Sequence, residues 1–333
     1  MWVVAVIATS LAADLAPSEA ITAAITPIVD AMAAKYRCAV SVALKGGPSD
    51  ALEVRVASGS VDRKGGRQLT TDDKFVWGSV TKLVTGTAIL RLVDSGKLYL
   101  SDPVAPKIDP LLARMAAKDP GQGFTSLAEL WGDDVGLVTV ENLLHMHSGV
   151  PDYDTASPGA HPSDKLRVDS YNHPNHSYTP TQLLSLPWVR TGKLLFAPGT
   201  CERRKYYNCY SSTNFVLLGL LLASVNDAPT WTDYDQATAL AAVHSDFEHL
   251  QFAVAGAPEQ WTPVHGYDET KYISGKTGHD VSAVVSAHMC IAHMCIRPRA
   301  LLGLASLHFT SLHFTSLHFT SLHFTSLHLT DLT

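Results

Sequence analysis

The chain has little charge, little cysteine and no long apolar run. Charged residues make up 17% of its 333 residues, with 25 Lys and Arg against 31 Asp and Glu, for a formal net charge of -6. No basic cluster stands out, so a nucleic-acid partner finds no electrostatic footprint. No uncharged apolar window reaches the roughly 20 residues that a membrane-spanning helix needs. The five cysteines, Cys38, Cys201, Cys209, Cys290 and Cys295, contain no Cys-x-x-Cys and are odd in number, so they spell no disulfide framework. Cys201 and Cys209 stay open between a disulfide across Glu202–Asn208 in an exported chain and two free thiols. A positive start is also lacking, yet Met1–Ala13 is apolar and ends in small residues, Ser10-Leu11-Ala12-Ala13, as a secretory leader does. Secretion is the preferred reading of that segment. The alternative is an apolar first strand or helix of a cytoplasmic chain.

What is present is concentrated in Gly78-Ser79-Val80-Thr81-Lys82. Positions i and i+3 share a helix face, so the Ser79 hydroxyl and the Lys82 amine can meet. A serine hydroxyl is a poor nucleophile until a base takes its proton. A lysine set among apolar side chains loses hydration, which disfavours its charged form and suits it to be that base. Ser-x-x-Lys alone also describes a capping serine beside a solvated lysine. The context favours the chemical reading. Val80, Leu83, Val84, Ala88, Leu90, Leu92 and Val93 sustain an apolar helix face, and Gly96 is a plausible stop. Ser79 then sits at a helix N-terminus, where backbone N–H groups favour a developing oxyanion.

Around this helix the patterning is mixed. Residues 19–36 read as a helix. Ala39–Leu44 and Leu52–Ala57 read as two strands joined by a turn, and Phe75–Trp77 as a third strand leading to Ser79. Ser101-Asp102-Pro103-Val104 breaks the helical pattern, and from about 105 to 285 helices alternate with polar loops, Asp152–Tyr178 being the longest. The end of the chain differs in kind. AHMCI occurs twice over 287–296, and residues 306–330 are five pentapeptides, four SLHFT and one SLHLT. A period of five fits neither strand nor helix, so no single apolar face forms. The preferred origin of this tail, 286–333, is a repetitive DNA tract or a reading-frame error. A histidine metal-binding tail is the functional alternative.

A third group comes from Tyr210-Ser211-Ser212-Thr213-Asn214-Phe215, just before the apolar Val216–Ala223. A phenol at a helix start beside an ammonium can shuttle protons, although a core aromatic is the ordinary role of a tyrosine. With these residues the chain resembles the serine β-lactamase and penicillin-binding-protein superfamily, nearest to class C enzymes, DD-peptidases and β-lactamase-related hydrolases. GSVTKLVTGTAILRLVDSGKLYLSDPV is similar to their nucleophile helix and the phrase after it. VTVENLLHMHSGVPDY, Val138–Tyr153, resembles their second signature. Phe196-Ala197-Pro198-Gly199-Thr200 with Tyr210–Gly219 resembles their Tyr-x-Asn segment. The resemblance covers about 25–285. It implies an α/β (α+β) fold, an antiparallel sheet flanked by helices plus a mainly helical lobe, with C-terminal strands missing. It implies Ser79 as acylated nucleophile, Lys82 as its base, Tyr210 as proton shuttle to the leaving group, and the Ser79 N–H as one oxyanion donor. The substrate would be a small molecule or peptide with an amide, β-lactam or ester bond, and no cofactor is called for.

The departures are specific. Ser212 stands where the family carries asparagine, and it cannot offer an amide's paired donor and acceptor. His145-Met146-His147 replaces the usual Thr-His-Thr. Lys276-Thr277-Gly278 spells the third family motif, but early in the chain and without a strand pattern, and reads as coincidence. An inactive or truncated relative is therefore the competing reading. A metallohydrolase built on His145-Met146-His147 is weaker still, because Gly149 and Val150 occupy the places its further ligands require.

Overall fold

The computed structural model describes residues 4–6, 18–46, 52–62, 66–76, 78–154, 166, 172–173, 178–201, 209–234, 251–252, 264, 267–268, 279–280 and 294–296. The pentapeptides, Lys276-Thr277-Gly278 and most of Met1–Ala13 lie outside them. Strand β1 (Val4–Val6) runs parallel to β2 (Val40–Gly46), which pairs antiparallel with β3 (Leu52–Ser58). Alternation in β3 turns Leu52, Val54 and Val56 to one face, where helix α1 (Ser18–Tyr36) covers them with Val29 and Ala33. The hairpin and the helix stand where the valine runs and the 19–36 pattern placed them.

Strand β4 (Phe75–Val76) leads into a 3-10 turn, Gly78–Thr81, and helix α2 (Lys82–Asp94). The approach to β4 is tied down by Asp73. Its carboxylate is buried and accepts from the Arg67 guanidinium, the Thr70 N–H at 2.7 Å and the Thr70 hydroxyl at 3.0 Å. Helix α2 ends in a Schellman motif. Gly96 adopts φ 72°, Lys97 N–H reaches Leu92 O at 2.9 Å, and Gly96 N–H reaches Val93 O at 3.0 Å. The next phrase forms a joint: Val104 N–H donates to Val138 O and Val140 N–H to Asp102 O, which sets the starts of helices α3 (Ala105–Lys118) and α5 (Val140–Leu144) side by side.

Helices α2, α3, α4 (Ala128–Trp131), α5, α6 (Pro180–Leu184) and α7 (Thr213–Val225) share one apolar core. Helix α7 is its centre. It is buried on every side from Thr213 to Ala223, which its continuous apolar run allows. Past α7 the described residues are few. The described helices end by Asp233, and beyond lie short strands, β5 (Gln251–Phe252), β6 (Tyr267–Asp268) and β7 (His279–Asp280). Strand β8 (Met294–Ile296) falls in the second AHMCI copy and pairs antiparallel with both β4 and β5. One short C-terminal strand thus lies within the segment read as tail.

Candidate active site

The 3-10 turn sharpens the geometry that the spacing implied. With three residues per turn, side chains at i and i+3 eclipse rather than merely share a face. Ser79 lies in that turn and Lys82 opens α2 directly after it, and Lys82 Nζ donates to Ser79 Oγ at 3.1 Å. Tyr210 closes the group from the other side. Its phenol oxygen lies 2.8 Å from Ser79 Oγ, across 131 residues of chain. Ser79 is exposed, so a substrate can reach the hydroxyl, while Lys82 is buried at 6% exposure.

Lys82 is surrounded by ring faces. Its Nζ sits 5.1 Å from the Tyr210 ring centroid and 5.7 Å from that of Phe215, on α7. Aromatic faces attract a cation and compensate part of its lost hydration. Phe215 is a site residue that the residue types alone did not single out. An aromatic at the start of an apolar helix reads as core, and only the packing of α2 against α7 shows what it faces.

The second signature is the frame of the site. Gly149 has φ 80°, and a side chain there would collide with the carbonyl oxygen of Phe196. Glycine permits that approach, and Leu195 N–H donates to Gly149 O at 2.8 Å. Gly199 N–H donates to His147 O at 2.8 Å, so the Phe196–Thr200 turn is bolted to the Ser148 turn. From that turn a disulfide joins Cys201 to Cys209, the neighbour of Tyr210, with Cα atoms 6.1 Å apart. That pairing decides the alternative left open above. On the far side of Tyr210, Thr213 Oγ1 donates to Pro151 O at 2.8 Å and accepts from Tyr153 N–H at 3.1 Å.

The candidate residues therefore divide clearly. Ser79, Lys82 and Tyr210 come together. Ser212 is buried and turns its N–H to Asp152 Oδ1 at 2.9 Å. Asn214, one turn away from Tyr210, is also buried, and its Oδ1 accepts from Ser148 Oγ at 2.6 Å. His145 and His147 meet edge to face, ring centroids 6.3 Å apart, and no cluster able to hold a metal ion occurs among the described residues. Among those residues no helix is long and apolar enough to cross a membrane.

The sequence model of the Beta-lactamase family matches residues 29–279. Solved structures with a similar fold include the D-amino acid amidase from Ochrobactrum anthropi SV3, at 20% identity and TM-score 0.58, over 86% of this chain and 69% of that one. A D-stereospecific amidohydrolase from Streptomyces sp. is 22% identical with TM-score 0.56, over 85% and 71% of the two chains. A penicillin-binding protein from Bacillus halodurans is 18% identical with TM-score 0.54, over 83% and 70%. At such identities the likeness is one of fold, an α+β arrangement of helices and small antiparallel sheets. The family match spans well over half of the chain, and the Gly78–Lys82 turn, the Ser148-Gly149 turn and the Tyr210 segment all fall inside it: the chain belongs to the Beta-lactamase family of serine hydrolases.

Proposed function

We propose that the chain hydrolyses an amide, β-lactam or ester bond by acyl transfer through Ser79. The carrying observation is that Ser79 Oγ lies within 3.1 Å of Lys82 Nζ and 2.8 Å of the Tyr210 phenol. Lys82 Nζ takes the Ser79 proton as Oγ attacks the carbonyl carbon. The ammonium so formed faces the Tyr210 and Phe215 rings, which hold the charge until it is passed on. Negative charge gathers on the carbonyl oxygen at the N-terminal turn, with the Ser79 N–H as one donor. The Tyr210 hydroxyl gives its proton to the departing nitrogen or oxygen and is resupplied from Lys82. Water then releases the acyl group from Ser79 by the reverse proton path. The named activities of the amidase and amidohydrolase neighbours support an amide of a D-configured amino acid as the first substrate class to try. The Cys201–Cys209 disulfide supports an oxidising, extracytosolic setting.

A fluorophosphonate or fluorescent penicillin tests the reading. The wild type takes up one label per chain and Ser79→Ala takes up none. Equal labelling of the two proteins sinks it. The second reading, a chain that binds without turnover, draws on the pentapeptides standing where the resemblance places C-terminal strands. Acylation without hydrolysis of a D-amino acid amide would favour it.

A further inference from the structure

We infer that Asn214 and Asp152 are positioning residues that clamp a single peptide unit and thereby hold the Tyr210 phenol on Ser79. The unit is the one joining Ser211 to Ser212, one residue after Tyr210. Its carbonyl oxygen accepts from Asn214 Nδ2 at 2.8 Å. Its N–H donates to Asp152 Oδ1 at 2.9 Å. Both gripping side chains are buried, Asn214 at 1% exposure and Asp152 at 8%.

The clamp is itself oriented. Asn214 Oδ1 accepts from Ser148 Oγ at 2.6 Å, which fixes the Nδ2 atom toward Ser211. Ser148 is fully buried and its oxygen accepts from Val150 N–H at 3.1 Å. Asp152 Oδ1 also accepts from Asp154 N–H at 3.2 Å. A peptide plane held at both edges has a fixed orientation, and Tyr210 is joined to it through the one preceding peptide and the φ and ψ bonds of Ser211. An angular error there is carried outward along the length of a tyrosine side chain, so a small tilt becomes a long Ser79–Tyr210 distance. Catalytic distances are sensitive to such shifts. Neither Asn214 nor Asp152 touches the reacting atoms; they act through Tyr210.

This inference rests on the acyl-transfer reading, and a double-mutant cycle separates the two. The rate of fluorophosphonate labelling is measured for wild type, Asn214→Leu, Tyr210→Phe and the double variant, all checked for folding by circular dichroism. Asn214→Leu is expected to slow labelling about tenfold in the wild-type background. In the Tyr210→Phe background it is expected to change the rate less than about twofold, because the group it positions is gone. Ser148→Ala, which frees the Asn214 side chain, is expected to act in the same direction and carries the same cycle should Asn214→Leu not fold. An equal loss in both backgrounds, or no loss in either, overturns the clamp alone. A wild type that takes no label overturns the acyl-transfer reading and the clamp with it.

Discussion

Single residues decide whether this site can work. Tyr210→Phe removes the phenol oxygen but keeps the ring over Lys82. Loss of a positioned proton donor is expected to lower the acylation rate by about 10²–10⁴, with little change in thermal midpoint. Stopped-flow labelling beside a melting curve reads both. Asp73 carries a different prediction. Burial raises its carboxyl pKa, but hydrogen bonds from Arg67 and Thr70 and the Arg67 charge outweigh that and hold it below the usual range. A carboxyl so held stabilises the fold above its unfolded value, and the contribution fades as pH falls through the lower folded value. The melting-temperature gap between wild type and Asp73→Asn is therefore expected to be full at neutral pH and to close below about pH 4. A gap that stays constant down to pH 2 would exclude this role. Ser79 and Lys82 were legible in the sequence because their relation is local, a separation of three residues about one turn. That the turn is 3-10 was not, since nothing in Gly-Ser-Val-Thr distinguishes it from the first turn of an α-helix. The Ser148–Asn214 bond was not legible either. It joins residues 66 apart, and only the packing of α7 beneath the Ser148 turn brings them together.

At the scale of elements, turns rather than helices hold the site. The Schellman end of α2 and the joint between residues 99–104 and 138–141 fix where helices stop and begin, and the close approach of Gly149 to Phe196 ties two turns together. Gly149→Ala is the sharpest test. It places a side chain at φ 80° against a backbone carbonyl that cannot swing away. The expected cost is about 1–3 kcal/mol, seen as a lower midpoint in urea at unchanged slope. Unaltered stability would mean that the Phe196–Thr200 turn yields easily. These turns explain the uneven legibility of the fold. Glycine and proline punctuation marked the breaks near Gly96, Pro103 and Pro198. The short strands from Gln251 onward are not legible because strands of two or three residues leave no period to detect.

For the molecule as a whole, the helical core around α7 is the main store of stability. Leu217 is fully buried at its centre. Leu217→Ala is expected to cost about 2–5 kcal/mol in chemical denaturation, whereas truncating a core residue of the smaller α1–β3 cluster leaves α7 packed. The order of synthesis gives the Ser79–Tyr210 contact a further meaning. A ribosome adds about 5–20 residues per second, so the serine emerges on the order of 10 s before the tyrosine 131 residues later. During that interval the nascent chain carries Ser79 and Lys82 without Tyr210. The three-group site is completed only when α7 has left the ribosome and docked, so its assembly reports that the helical half of the chain has folded.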